Sequence, residues 1–551
     1  MCALPGPDSP AASAPTPPPP TRKAVYGRAA VTSSQPLATA AGLQILARHG
    51  NAFDAAIATG AMLAVTEPCS NGIGGDLIAL CDDNKSVTAV LGNGASPAAL
   101  SASMLPEPPV PLDCPHTVTV PGTIAAWIDI KQRYGNPQIS LLECLQPAIR
   151  AAREGFPVGK TTAFYWKLEE QFLNTTKNGT DLLLLDKSIS KFRAPQEGEI
   201  FVNKPLARVL EDVGNKGRAA FYEGPVAQAM VDILTQLGAV MSMQDLACHQ
   251  TVFTQPISTT YRGRTVYEPG PPTHGAIAIM CLNILDKYDL SALPEEDVYH
   301  LMIEAVRLSF STAASHIADP AYFPECVNKF IQLSFGDQLR KRINMSERCV
   351  LEDTPSLPKG GTVQFSVIDA DGNAVSAVQS NYCCFGTGIV PDGCGFSLQN
   401  RGLNFSLDPN SNNYVAGSKR SYHTIIPSLA KLGDWKAAVG VMGSFMQPQA
   451  HVQVLHALLD KGMDAQQALD RPRFRVTGCF SKVESGMDED AVLVEDTFCE
   501  KVQADLVRRG HVVRLGKLQQ FGKGHVCVRD QRGVVMAGAD NRADGVAMAM
   551  L

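Results

Sequence analysis

The segment that most limits the fold begins at Gly360. Residues 360–369 read Gly-Gly-Thr-Val-Gln-Phe-Ser-Val-Ile-Asp, with Val363, Phe365 and Val367 alternating against Gln364, Ser366 and Ile368. Alternation with period two is the signature of a β-strand. Asp371-Gly372 is a hairpin signal, and Asn373–Tyr382 is the returning strand. Closing this hairpin brings Ser380 or Asn381 opposite Thr362, depending on the loop register. A chain with this unit must build a sheet around it, and a hydroxyl or an amide returns to the start of the first strand.

The flanking text alternates helices and short strands without a repeat. Pro36 to Glu67 reads as helix–turn–helix: Ala40, Leu43, Leu46 and Ala47 form an apolar stripe, Gly50-Asn51 ends it, and Asp54 caps a second helix through Val65. Ser70-Asn-Gly-Ile-Gly-Gly-Asp76 then leads into an apolar strand, Leu77–Leu80. It lacks the Lys-Ser/Thr of a phosphate-binding loop and reads as a tight turn. Further helical texts cover Gly122–Tyr134, Leu141–Glu154, Pro225–Leu237 and Glu296–His316. Asp337–Lys359, with Arg340-Lys-Arg and then Pro355 and Pro358, reads as a solvated connector. Residues 1–24 are a Pro/Ser/Ala tail too poor in apolar surface to order itself. That start has neither a basic region nor an apolar core of a signal peptide, so the expected location is the cytosol.

Charge and motif content remove several classes of function. Lys and Arg total 48 against 54 Asp and Glu in 551 residues, a net charge of -6. With no long basic run, a nucleic-acid partner is not expected. No run of about 20 apolar residues offers a membrane span. The 15 cysteines are an odd number with no Cys-x-x-Cys, and Cys383-Cys384 reads as two reduced thiols on a strand. His451 and His456 fall on different faces of a helix, and neither His-Glu-x-x-His nor Gly-x-Ser-x-Gly occurs. No metal or organic cofactor is therefore expected. Asp540, Arg542 and Asp544 read as a buried or turn ion-pair network.

A series of motifs carries a more specific signal. They are Ser70-Asn-Gly-Ile-Gly-Gly, Arg153-Glu-Gly-Phe-Pro, Asp245-Leu-Ala, Pro256-Ile-Ser with Tyr261-Arg-Gly, Pro271-Pro-Thr-His-Gly, Asp369-Ala-Asp-Gly-Asn-Ala-Val, Phe385-Gly-Thr-Gly and Asp540-x-Arg-x-Asp-Gly. In this order and spacing the chain resembles the γ-glutamyltransferase (glutathione hydrolase) family of N-terminal-nucleophile hydrolases, over about residues 25–551. Gln379-Ser-Asn-Tyr, Gln399-Asn-Arg-Gly, Arg420-Ser-Tyr-His-Thr-Ile-Ile-Pro and Gln447-Pro-Gln449 are similar to its glutathione hydrolase-like YwrD branch. The resemblance implies an α/β (α+β) fold, a four-layer αββα sandwich. It also implies a precursor that cuts itself between Gly361 and Thr362 into a large subunit, 25–361 after the tail, and a small subunit, 362–551. The two products stay associated. Thr362 would be the nucleophile, with Ser380 at the position whose hydroxyl supports it. The freed α-amine of Thr362, with an ordinary pKa of about 7.7–8.0, would serve as the base. A γ-glutamyl or other acyl amide would pass its acyl group to water or to an amine.

Three departures from the family pattern bear on the substrate. Asn93 stands where typical members carry the arginine that binds the glutamyl carboxylate. Tyr382 and Asn404 stand where an Asn and an acidic residue hold the α-amino group. Arg401 lies close by in the text and supplies a positive charge instead. Asn381, Tyr382, Arg401, Asn404, His423 (aligned with a pocket-lining serine) and Thr424 form the expected substrate-binding set. Lastly, Gly443-Ser-Phe-Met-Gln-Pro-Gln449 lacks the Gly-Gly pair of the oxyanion hole, and the backbone amides of Ser444 and Phe445 are the expected replacements. Two alternatives follow: an acylase of the same fold with a different acyl specificity, or an inactive scaffold.

Overall fold

The computed structural model describes residues 22–313, 316–324, 327–351, 361–477 and 490–551. Most of the Pro-rich tail and the end of the expected connector lie outside them. The rest of that connector is not all irregular: a helix, Leu333–Arg340, overlaps its start.

Fourteen strands make two seven-stranded antiparallel sheets. In chain order they are β1 (Val25–Gly27), β2 (Ala29–Ser33), β3 (Asp76–Asp82), β4 (Val87–Gly92), β5 (Val252–Thr254), β6 (Ile257–Tyr261) and β7 (Arg264–Glu268). The second seven are β8 (Gly361–Ile368), β9 (Ala374–Tyr382), β10 (Ser428–Leu432), β11 (Trp435–Met442), β12 (Lys523–Arg529), β13 (Val535–Ala539) and β14 (Val546–Met550). One sheet runs β1-β13-β12-β11-β10-β7-β6 and the other β14-β2-β8-β9-β3-β4-β5. The expected hairpin thus sits at the centre of the second sheet.

Each sheet is covered by helices on its outer face. Helices α1 (Pro36–Ala47) and α2 (Ala52–Thr66) pack on Val31, Leu77, Val363, Phe365 and Val367 in one core. On the far side, the helices Gly275–Leu285, Glu295–Ala313 and Met446–Leu459 cover Val266, Val439, Val441 and Val526. Between the sheets a smaller core joins Ala30, Leu80 and Ile368 to Leu429, Ala438 and Val535. The layers are therefore α, β, β, α.

The alternation in β8 now has a cause. Val363, Phe365 and Val367 face the helices, whereas Gln364 and Ser366 face the opposing sheet. Gln364 accepts at Oε1 from the His525 Nδ1–H at 3.0 Å and donates from Nε2 to Ser366 at 2.9 Å, so its burial is satisfied. Helix starts follow the text closely, with one correction: Asn51, not Asp54, caps α2, and Asp54 completes a capping box from the third helical position.

Candidate active site

The hairpin carries its irregularity where the chemistry is expected. Val363 pairs with Gln379 and Gly361 with Tyr382, so the single residue Thr362 faces both Ser380 and Asn381. This is a β-bulge, and it merges the two registers that the sequence left open. Only Ser380 turns to Thr362. Asn381 points to the other face of β9, where its amide donates to Ser397 at 3.3 Å and its Oδ1 lies against Gly75. Tyr382 ends the strand at φ 75, a conformation that costs a bulky residue about 1–3 kcal/mol and that surroundings must hold in place.

Ser380 is the hub. Its Oγ donates to the Gly361 carbonyl at 2.8 Å and accepts from the Tyr382 N–H at 2.8 Å. The Thr362 hydroxyl donates to it at 3.3 Å and the Arg401 Nη2 at 3.1 Å. Gly361 is required by close approach: a Cβ there would stand 2.9 Å from the Cys384 nitrogen and 3.2 Å from the Cys69 carbonyl. Cys383 and Cys384 lie just past the end of β9, not on it as the sequence reading had them.

Arg401 comes from a short 3-10 turn, Arg401–Asn404, and is fully buried. Its guanidinium lies over the Tyr382 ring, 4.5 Å from the centroid, and its Nη1 donates to the Thr424 hydroxyl at 3.1 Å. Its Nε stands 3.7 Å from the Asp76 carboxylate. Asp76 opens β3, which pairs with β9 so that Asp76 faces Ser380. Gln399 Nε2 donates to one oxygen at 2.9 Å and His423 Nε2 bonds the other at 3.0 Å. Burial raises the Asp76 pKa to about 6 even though Arg401 and Gln399 pull it down. Burial, with the Arg401 charge, holds His423 neutral, its pKa well below the usual value. His423 accordingly keeps its proton on Nε2 and accepts the Ile425 N–H at Nδ1.

Several polar atoms around this core have no protein partner. Both amide atoms of Asn93 and of Asn404, the Thr119 hydroxyl and the Gln399 Oε1 are buried and unpaired. Such groups are normally met by water or ligand. The site therefore brings together Thr362, Ser380, Tyr382, Arg401, His423 and Thr424, and leaves Asn381 on the wrong face.

Ser444 and Phe445 form the turn from β11 into the helix Met446–Leu459. The Gln364 amide lies over Gly440 of β11, where a Cβ would meet it at 2.5 Å, and Ser376 donates to the Val439 carbonyl at 2.8 Å. Continuing both strands from these contacts carries the Gly443–Phe445 turn toward the Thr362 end of β8. Ser444 holds φ 55 there, after Gly443 at φ 131.

Sequence reasoning missed Asp76 and Gln399, although both stand in motifs it quoted. It also placed Asp544 in an ion-pair network. The network is real for Asp540, which bonds Arg473 at 2.7 Å and Arg542 at 3.0 Å, whereas Asp544 accepts from the Thr161 N–H and hydroxyl at 2.8 and 2.7 Å. His451 and His456 are bound separately, to Glu268 and Asp460. Among the described residues no group of three or more His, Cys, Asp or Glu is placed to hold a metal ion, and no helix is long and apolar enough to cross a membrane.

A family model described as gamma-glutamyltranspeptidase matches residues 38–550. The chain is 34% identical over 537 residues to the glutathione hydrolase-like YwrD proenzyme of Bacillus subtilis (strain 168), spanning 96% of this chain and 99% of that one. It is 30% identical over 557 residues to the acylase ACY 1 proenzyme of Pseudomonas sp. (strain V22), spanning 96% and 95%. The crystal structure of cephalosporin acylase from Bacillus halodurans superposes with a TM-score of 0.88 at 36% identity, over 97% of this chain and 98% of the other. Motifs, layered fold and full-length similarity agree, and the chain belongs to the gamma-glutamyltranspeptidase family.

Proposed function

We propose that Thr362 is the nucleophile of this self-processing amidohydrolase, and that the acyl group it accepts carries no ammonium. The observation that carries the first part is the Ser380 hub, which joins the Thr362 hydroxyl to the carbonyl of the preceding residue. In self-processing, Thr362 Oγ1 bonds to the Gly361 carbonyl carbon and the Gly361–Thr362 C–N bond breaks. The hydroxyl proton ends on the released nitrogen, and water hydrolyses the ester to leave the Gly361 carboxylate. The freed amine is then the base for the hydroxyl in turnover. Ser444 and Phe445 amides are the proposed oxyanion donors, at the start of a helix whose dipole favours negative charge. The products 25–361 and 362–551 stay together, because each large sheet interleaves strands from both.

The second part rests on charge. Tyr382 and Asn404 are neutral, and the carboxylate beside Ser380, Asp76, already serves Gln399, His423 and Arg401. A glutamyl ammonium thus meets no free carboxylate among these groups. An acyl chain ending in a carboxylate or carboxamide suits the unpaired amides of Asn93 and Asn404. This favours the acylase reading, in line with the acylase names among the relatives.

Intact mass of wild type beside Thr362→Ala tests the nucleophile: two fragments meeting at Gly361/Thr362 in the first and one chain in the second. An uncut wild type refutes it. With processed enzyme, glutaryl-anilide should turn over at least about tenfold faster than γ-glutamyl-anilide, the order expected when a charged head loses its hydrogen-bonded partner. The opposite order refutes the acyl assignment, and turnover of neither points to the scaffold.

A further inference from the structure

Ser380 has one hydroxyl hydrogen and two lone pairs, but four partners. Two of them, the Tyr382 N–H at 2.8 Å and the Arg401 Nη2 at 3.1 Å, can only donate. They fill both lone pairs. The third donor, the Thr362 hydroxyl, is the most distant at 3.3 Å and competes last. The hydrogen of Ser380 then has the Gly361 carbonyl, at 2.8 Å, as the acceptor that asks nothing in return.

From this we infer that Arg401 is a positioning residue that locks Ser380 as a hydrogen-bond donor to the scissile carbonyl and leaves the Thr362 hydroxyl loosely held for attack. The inference rests on the nucleophile reading above and goes beyond it, because it assigns Arg401 to the precursor's own reaction, not to substrate binding. The charge acts in the same direction. A buried guanidinium donating to Ser380 polarises its O–H, and the pair faces the oxygen on which negative charge develops when Thr362 attacks. Arg401 is itself held in place from three other sides: its face by Tyr382, its Nη1 by Thr424 and its Nε by Asp76. Asp76 is in turn fixed by Gln399 and His423. Without Arg401, one lone pair of Ser380 is vacant, the Thr362 hydroxyl occupies it fully, and the nucleophile is restrained by its own helper.

The test is a double-mutant cycle read on self-cleavage, which needs no external substrate. Full-length precursor is followed by intact mass over days for wild type, Ser380→Ala, Arg401→Met, Arg401→Lys and the double variants. Ser380→Ala should slow cleavage about 100- to 1,000-fold, the loss of one oxyanion donor. Arg401→Met should slow wild type at least about tenfold, a lost charge-assisted hydrogen bond, yet slow Ser380→Ala less than about twofold. Arg401→Lys, which restores one donor, should fall between wild type and Met. If Arg401→Met fails to fold, the Lys variant runs the same cycle. Equal slowing of wild type and Ser380→Ala would overturn the inference, as would an Arg401→Met chain that cuts itself at the wild-type rate. A wild type that never cuts itself would instead remove the nucleophile reading beneath it.

Discussion

Replacing Asp76 by Asn, in a Thr362→Ala background that lacks the proposed nucleophile, isolates the charge at the centre of the site. Burial is the largest influence on this carboxyl and outweighs Arg401, Gln399, His249 and the Gly94 N–H, which together bring its pKa back only to about 6. In the unfolded chain an Asp titrates near about 3.9. Between these values the folded state holds a proton that the unfolded state has lost. Stability therefore falls as pH rises from about 4 to about 6, then levels off once both states are ionised. An Asn at the same place titrates in neither state. About two pKa units correspond to about 3 kcal/mol, so the advantage of Asp over Asn should shrink by about that much between about pH 4 and about pH 8. Urea unfolding of the two chains, followed by tryptophan fluorescence across that range, gives the difference directly. A difference that instead grows with pH would mean that Arg401, 3.7 Å away, outweighs burial, and the charge balance drawn for the site would be wrong.

Other consequences are independent of that titration. Asp540→Asn should cost about 3–5 kcal/mol in thermal melts, because it leaves Arg473 and Arg542 buried with one carboxylate fewer; a loss under about 1 kcal/mol would show the network to be dispensable. Asn51→Ala removes the capping box of α2 and should cost about 0.5–2 kcal/mol by urea midpoint, with the site unchanged.

Local structure was legible in this sequence wherever its cause was local. Pro36, Gly50-Asn51 and Pro225 mark helix starts or breaks through capping and φ restriction, and the helices begin there. The hairpin was legible from period and turn. Its bulge was not, because a bulge depends on what packs at the end of the strand, here the Cys384 and Cys69 backbone against Gly361. The partners of Asp76 were also out of reach. His423 lies 347 residues further along the chain, and no periodicity connects the first residue of β3 to an irregular segment before β10. Arg401 could be picked out as a charge near the site, but its engagement with Ser380 belongs to tertiary packing. The motif resemblance reached further than the physics for this reason: it carries long-range arrangement that local propensity does not encode.

The placement of the proposed cut explains how one chain can serve as both substrate and enzyme. Of the pairs that β8 makes with β9, only Gly361 with Tyr382 precedes Thr362; the six from Val363 to Ile368 follow it. On the other edge β8 meets β2 through Phe365 to Ile368, all beyond the cut. Breaking the Gly361–Thr362 bond would thus release one backbone pair and leave the central strand anchored on both sides. Each sheet holds strands from both sides of the junction: β10 to β13 lie between β1 and β7 in one, and β2 lies between β14 and β8 in the other, so parting the halves would break strand pairs in both sheets. Rigidity of this kind serves the chemistry twice. It holds Thr362 and Ser380 in a fixed relation while the precursor bond is still in place. It then keeps the same pair in register once the residue ahead of Thr362 has gone, when an incoming acyl amide must take the position that Gly361 held.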